Sequence, residues 1–277
     1  MKKQKSIDFH KMVGAGNDFI VIDANKGIDY KKLVVKICDR SNGIGADGLL
    51  ILDQSKNADF RMRIFNADGS EAEMCGNGAR CLAAYIVRYK NPKRKLFTMQ
   101  TLAGIIHAEA KGEIANVQLS DPIDYRPNLT IDLNGKSLQV HYIDTGVPHT
   151  IVYVADIKKI DVNFIGEKIR NHKAFSPRGT NANFVEQLDS NLVEARTFER
   201  GVEHETKACG TGSVACALVS FRQASPEILS QKQAKMNVLT ASGEVLQVQF
   251  DLTNGTMTNV WLKGSAKFIA HGQYYFT

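Results

Sequence analysis

A short pattern that occurs twice constrains this chain more than any other feature. Residues 75–84 read Cys-Gly-Asn-Gly-Ala-Arg-Cys-Leu-Ala-Ala, and residues 209–218 read Cys-Gly-Thr-Gly-Ser-Val-Ala-Cys-Ala-Leu. Both place Cys-Gly-polar-Gly ahead of a small-residue, apolar stretch of helical character that carries a second cysteine. The leading cysteines are 134 positions apart (209 − 75) in a chain of 277 residues. At roughly 150 residues per domain, this predicts two similar halves that arose by duplication, related by a pseudo-twofold with a cleft between them. A weaker echo sets Gly16-Asn-Asp-Phe-Ile-Val against Asn181-Ala-Asn-Phe-Val-Glu. The prolines and turn formers of Ser120-Asp-Pro-Ile-Asp-Tyr-Arg-Pro interrupt both periodicities and mark the boundary. The expected halves are therefore 1–120 and 121–265.

Strand-like alternation recurs at 19–23, 49–52, 60–65, 117–119, 138–143, 150–154, 183–186, 193–198, 245–250 and 258–262. Helical patterns are fewer, at 30–38, 79–89, 163–171, 213–222 and 226–233. Strands outnumber helices and cluster in runs, which predicts an α+β fold and not a doubly wound one.

Composition removes several function classes. Hydrophobic residues at 43% and charged residues at 23% are those of a globular chain, so wholesale disorder is excluded. Five cysteines with no Cys-x-x-Cys pair do not make a disulfide framework, and they point to a reducing, cytoplasmic compartment. Residues 1–5 carry the charge of a signal n-region, but Ser6-Ile-Asp-Phe-His-Lys follows and is no apolar h-region, so no signal peptide is expected. No apolar run approaches the roughly 18 residues of a membrane span. The net charge is +6, yet outside residues 1–5 and 90–95 the basic excess is diffuse and lacks interleaved aromatics. Solvated surface charge is the reading, and no nucleic-acid partner is expected.

The repeated motif has a chemistry of its own. Glycines on either side of a polar residue keep side chains away, and the helix that follows presents unpaired backbone N–H groups at its N-terminus. Such an end attracts a carboxylate and favours the thiolate of a cysteine placed there. Two such elements facing each other could grip one carboxylate and hold two thiols on opposite faces of the adjacent carbon. Inversion at an α-carbon needs that arrangement: one base takes the proton from one face and a second acid delivers a proton to the other. The helix ends would stabilise the charge that builds on the carboxylate, and no lysine-bound aldehyde cofactor is needed.

A lone cysteine ahead of a helix reads as a small buried hydrophobe. Duplication in matching glycine contexts turns Cys75 and Cys209 toward chemistry, while Cys38, Cys81 and Cys216 lie on apolar faces and read as core. Zinc is not expected, because the spacings Cys75-x5-Cys81 and Cys209-x6-Cys216 are not tight-turn pairs and no histidine pair completes them. Gly43-Ile-Gly-Ala-Asp-Gly48 matches a dinucleotide-binding pattern, but a helix precedes it and a strand follows, the reverse of what that site requires. His149, expected in a turn between strands, and Glu199, at a strand end before Gly201, read as solvated loop residues singly. Beside two thiols that need their acidity controlled, they become candidate tuning bases.

These residues resemble the diaminopimelate epimerase family over nearly the whole chain. The resemblance rests on Phe9-His-Lys-Met-Val-Gly-Ala-Gly-Asn-Asp-Phe19, Arg40-Ser-Asn-Gly-Ile-Gly-Ala-Asp-Gly48, Ile64-Phe-Asn-Ala-Asp-Gly-Ser-Glu71, both Cys-Gly-x-Gly motifs, Gly146-Val-Pro-His149 and Phe198-Glu-Arg-Gly201. It implies two α+β halves, each a sheet or barrel wrapped around a central helix, with a final strand at about 266–277 returning to the first half and the active site in the cleft. It also implies cofactor-independent interconversion of LL- and meso-diaminopimelate in lysine and peptidoglycan synthesis. Cys75 and Cys209 would be the acid/base thiols, tuned by His149 and Glu199. Gly76, Asn77, Gly210 and Thr211 would hold the reacting carboxylate. Asn17, Asn66, Asn181 and Arg200, with Glu199 alongside, would bind the rest of the substrate, Arg200 through a bidentate guanidinium–carboxylate pair. No cofactor and no metal are implied. The partner is a small amino acid, with no nucleic acid and no membrane, and a homodimer is the candidate assembly.

Two departures bear on the substrate. Val147 stands where many members have Asn, and Arg200-Gly-Val-Glu-His-Glu-Thr206 is one residue longer than the usual segment. A related racemase acting on another amino acid is therefore the alternative. A non-catalytic, redox-sensing thiol protein is the third reading, since facing thiols could oxidise to a disulfide.

Overall fold

The computed structural model describes residues 5–90, 95–133 and 135–276. Residues 1–4 and 91–94, which make up most of the two basic clusters, lie outside the described residues. The chain divides into two compact units, Met1–Val117 with Gly264–Thr277, and Gln118–Lys263.

The first unit contains β1 (Lys5–Gly14), β2 (Asn17–Asp23), α1 (Tyr30–Ile37), β3 (Gly48–Asp53), β4 (Phe60–Asn66), the short β5 (Glu71–Ala72), α2 (Gly76–Tyr89), β6 (Leu96–Thr101), β7 (Gly104–Lys111) and β8 (Ile114–Gln118). The second contains β9 (Ile123–Leu133), β10 (Lys136–Asp144), β11 (Pro148–Tyr153), α3 (Val162–Arg170), β12 (Asn181–Asp189), β13 (Leu192–Glu199), the short β14 (His204–Thr206), α4 (Gly210–Ala224), β15 (Gln231–Thr240), β16 (Val245–Thr253) and β17 (Thr256–Ser265). The last strand, β18 (Lys267–Phe276), pairs antiparallel with β1.

Strand order shows the likeness of the units. In the first it runs β18-β1-β2-β3-β4-β6-β7-β8, and in the second β9-β10-β11-β12-β13-β15-β16-β17. The parallel pairs fall at matching places: β2/β3 and β4/β6 in one, β11/β12 and β13/β15 in the other. Each is bridged by a helix, as a parallel pair requires. The short strands β5 and β14 hang on β4 and β13 and end three residues before Cys75 and Cys209.

Burial decides which helix is central. Residues Gly76 to Ile86 of α2 are all buried, as are Gly212 to Phe221 of α4. A helix buried on every face must be surrounded, and α2 packs on β1, β2, β3, β4 and β7, while α4 packs on β10, β11, β12, β13, β15 and β16. The outer helices are amphipathic. Leu33, Val34 and Ile37 of α1 join Ile20, Ile22, Leu49 and Ile51, and Val162 and Ile169 of α3 join Val152, Ala182 and Phe184. Alternate strand residues then point to the opposite face, toward the central helix. This is the predicted α+β fold of two similarly built halves, each a sheet wrapped around one helix.

Three expectations need correction. The stretch 226–233 is not a helix: α4 ends at Ala224, Ile228 N–H turns back onto the Ser225 carbonyl, and β15 starts at Gln231. Pro127 does not break the chain, because it lies within β9, whose ladder partner is β10 and whose backbone takes left-handed φ values at Asp124 and Asn128. Proline is tolerated on such a strand because its missing N–H need not face a neighbour. The echo between residues 16–21 and 181–186 is not structural, since Asn17 opens β2 and Asn181 opens β12, whose counterpart is β3.

Close packing of the outer helices gives a test. A Cβ added at Gly166 of α3 would lie 2.4 Å from Phe198 Cβ. Alanine favours a helix by about 1 kcal/mol, but overpacking of this kind costs about 1–3 kcal/mol. Gly166→Ala should therefore lower the urea midpoint, and an unchanged or raised midpoint would contradict this packing.

Candidate active site

Both motif cysteines cap the central helix of their unit. Cys75 (φ −145, ψ 119) precedes α2, and its sulfur accepts the Gly78 N–H at 3.5 Å. Cys209 (φ −108, ψ 117) precedes α4, and its sulfur accepts the Gly212 N–H at 3.4 Å. Their carbonyls accept from Ala79 and Ser213, each at 2.8 Å. Oxygen side chains normally hold this capping position. A sulfur placed there meets an N–H donor and the positive end of the helix, both of which favour thiolate over thiol. The glycines are needed sterically: a Cβ at Gly78 would lie 2.9 Å from Leu50 Cδ2, and one at Gly212 would lie 2.6 Å from Asn183 Oδ1. Cys38, Cys81 and Cys216 are buried, as predicted for core. Burial pushes the Cys38 thiol up to about 12 and raises that of Cys216, so neither ionises readily.

The second unit gathers most of the expected residues around Cys209. His149 is not in a turn: it lies in β11, fully buried, beside Asn181 of β12. Its Nε2 is 3.0 Å from Thr211 Oγ1, which is itself 3.5 Å from Cys209 Sγ, and its Nδ1 is 3.1 Å from Asn183 Nδ2. Burial, with the Arg200 charge adding, pulls its pKa down to about 3, so the imidazole is neutral. Glu199 ends β13, accepts from Thr206 Oγ1 at 3.0 Å and hydrogen-bonds Cys209. Burial raises its pKa, countered in part by those two bonds. Asn181 spends its amide on backbone: Nδ2 donates to the Pro148 carbonyl at 2.9 Å, and Oδ1 accepts the Arg200 N–H at 2.8 Å. It thus ties the His149 strand to the Arg200 turn. Arg200 Nη1 donates to the Arg178 carbonyl at 2.7 Å. The longer loop is pinned by Glu203, left-handed at φ 61, whose carboxylate accepts from Arg170 and from the Gly201 N–H.

The first unit builds a different surround. Asn77 Nδ2 donates to Asn17 Oδ1 at 2.6 Å, and Asn77 Oδ1 accepts from the fully buried Arg80 at 2.8 Å. Asn17 Nδ2 donates to Asp47 at 3.0 Å. Arg40 bridges Asp47 and Asp18, and Lys11 pairs with Asp18 at 2.6 Å. Burial pushes the Asp18 carboxyl up, but its bonds with Arg40 and Lys11 outweigh this and hold it well below the usual carboxylate range. Asn66 ends β4 opposite Gly48, with its amide on Ser70 Oγ at 3.0 Å, so no hydrogen bond joins it to Asn17 or Asn77 among those described. Sequence reasoning missed Arg80, Asp47, Asn183 and Thr197, although Arg80 stands inside the repeat and Asn183 inside the Asn-Ala-Asn-Phe run.

The solved structure of a PhzF-family phenazine biosynthesis protein from Bacillus anthracis superposes with a TM-score of 0.73 at 17% identity, covering 98% of this chain and 99% of that one. A hydroxyproline epimerase from Agrobacterium vitis gives 0.69 at 12% identity, covering 99% and 93%. At such identities these show the fold alone, one that racemase-like proteins share. Sequence goes further. The family model described as diaminopimelate epimerase matches residues 9–122 and 141–269. The diaminopimelate epimerase of Aquifex aeolicus is 39% identical over 96% of this chain and 97% of its own length, and that of Chlorobaculum tepidum is 41% identical over 94% and 98%. The chain belongs to the diaminopimelate epimerase family.

The network beneath Asn17 should be visible in stability. Asp18 has a depressed folded-state pKa, so its contribution is complete above its unfolded value of about 4 and is lost as pH falls through the folded value. Asp18→Asn should cost about 1–3 kcal/mol at neutral pH, and the gap from wild type should narrow below pH about 4. Urea unfolding at both pH values checks this; a gap that is constant with pH would contradict it.

Proposed function

We propose that this protein interconverts LL- and meso-diaminopimelate without a cofactor, with Cys75 and Cys209 acting as its acid/base pair. The observation that carries the reading is the duplicated cap: two sulfurs in the same geometry, each at the start of a buried helix. In one direction a thiolate removes the α-proton, and the other thiol delivers a proton to the opposite face. The roles exchange in the reverse reaction, so each turnover leaves the pair ready for the other isomer. Electron density moves from the broken C–H bond into the α-carboxylate and returns to carbon as the new C–H bond forms. First-turn amides around Gly76, Asn77, Gly210 and Thr211 would stabilise that charge.

Glu199 suits the role of proton acceptor for Cys209. Its raised pKa makes it a better base than an exposed carboxylate, and it already bonds the thiol. His149, neutral and buried, would act through hydrogen bonding and not as a cation. Arg200 would pair with the distal carboxylate, and Asn17, Asn66 and Asn181 would shape or line that end of the site. We place the reaction in lysine and peptidoglycan synthesis, in the cytoplasm. Among the described residues no helix is long and apolar enough to cross a membrane.

Val147 favours one variation on this reading. Its carbonyl accepts the Thr145 N–H at 3.1 Å, so the turn is held while an apolar side chain stands where many members have an amide. A relaxed preference for the distal group of the substrate would follow.

Chromatographic separation of the isomers tests the proposal. Cys75→Ser and Cys209→Ser should each lower the rate of meso formation from LL-diaminopimelate by about 10²-fold or more. A full rate in either variant would overturn the two-thiol mechanism, and a faster wild-type rate on another amino acid would move the substrate assignment.

A further inference from the structure

The two capping sulfurs match in geometry, but the strands beneath them do not. Register places Phe19, Leu50 and Ile64 of the first unit where the second has His149, Asn183 and Thr197. Val21 pairs with Leu50 and Leu50 with Ile64, as Ile151 pairs with Asn183 and Asn183 with Thr197. An independent contact agrees: the glycine three residues after the cysteine approaches Leu50 and Ile64 in one unit and Asn183 in the other. One helix end thus rests on hydrocarbon and the other on a row of polar side chains.

We infer that Asn183 is a positioning residue that fixes His149 as its Nε2–H tautomer, so that a one-way row of hydrogen-bond donors ends on the Cys209 sulfur.

The direction of the row follows from groups that can act in only one sense. Asn183 Nδ2 lies 3.0 Å from the Thr150 carbonyl and 3.4 Å from that of Asn181, as well as 3.1 Å from His149 Nδ1. Carbonyl oxygens only accept. A reversed amide would set its own oxygen against both, so the nitrogen must face them and must donate to the imidazole. Thr197 Oγ1 reinforces this by donating to Asn183 Oδ1 at 2.9 Å. Nδ1 is then the acceptor of a neutral imidazole, which leaves the proton on Nε2, directed at Thr211 Oγ1 at 3.0 Å. With its oxygen already accepting, the Thr211 hydroxyl turns its proton to Cys209 Sγ at 3.5 Å. Together with the Gly212 N–H, two donors converge on one sulfur.

The burial of the groups beneath Thr211 makes the arrangement unforgiving. Asn183 and His149 are fully buried, and Thr197 nearly so. A wrong tautomer would leave an N–H facing an N–H with no water to separate them.

Nitrogen-15 NMR of histidine-labelled protein tests the tautomer with no substrate present, so this arm stands apart from the epimerase reading. The resonances of His149 are assigned by their loss in His149→Gln. In wild type Nδ1 should resonate as an unprotonated nitrogen and Nε2 as a protonated one. In Asn183→Asp, whose carboxylate can only accept, Nδ1 should become protonated. If that variant fails to fold, Asn183→Ala should populate both tautomers. A protonated Nδ1 in wild type, or an unchanged nitrogen pattern in the folded variant, would overturn the inference. The second arm rests on the proposed reaction: Asn183→Asp should lower kcat about tenfold with KM within about a factor of two. A reversed tautomer with unchanged kcat would overturn the row's bearing on Cys209.

Discussion

A backbone N–H bonded to a cysteine sulfur, at the start of a helix buried on every side, is the contact on which this structure depends. A helix end leaves up to four amides without partners inside the helix, and burying such an end asks for acceptors close by. In both units sulfur supplies one, from Cys75 to the Gly78 amide and from Cys209 to the Gly212 amide. The same choice has a chemical consequence, because an acceptor that can ionise sits where ionisation is favoured. Structure and reactivity are here two results of one placement. The sheet around each helix holds the cap in register, and the short strands β5 and β14 bring the chain to each cysteine along matching paths.

The two units have kept this cap and diverged around it. The first supports its helix end from the side, through buried Arg80 and Asn77, half-buried Asn17 and exposed Asp47, with Arg40 paired to both Asp47 and Asp18 and Lys11 paired to Asp18. The second supports it from beneath, through Thr197, Asn183, His149 and Thr211, and adds Glu199 beside the sulfur. In the proposed reaction, a pair of thiols that exchange acid and base roles would not need identical surroundings. It would need each sulfur to be stabilised as thiolate in one state and to hold a proton in the other.

The sequence made the central elements legible because their residues repeat or alternate. The paired Cys-Gly-x-Gly runs locate the N-termini of α2 and α4, continuous apolar runs locate β2, β3 and the buried first half of β12, and apolar alternation locates β4 and β13. Periodicity alone misses strands with little apolar signal, among them β9 and β18, the latter expected from the resemblance only. β18 is mostly exposed, and β9 combines exposure with a proline and two left-handed residues. Gly146 and Pro148 make His149 read as a turn residue in sequence, yet Pro148 is the first residue of a strand, a position that proline accepts. Asn183 reads in sequence as part of a strand but not as part of the site. Its role depends on Thr150 and Thr197, which lie far from it in sequence and meet it only through the sheet.

The central claim is that two groups share one inversion, and the fate of solvent hydrogen tests it most directly. With LL-diaminopimelate in D2O, early in the reaction, the meso product should carry deuterium at the inverted carbon while recovered LL substrate keeps its protium. The incoming atom would come from a thiol equilibrated with solvent, and the outgoing one would stay on the other sulfur. Recovered substrate deuterated as fast as product would mean that one group serves both faces, and would contradict the account.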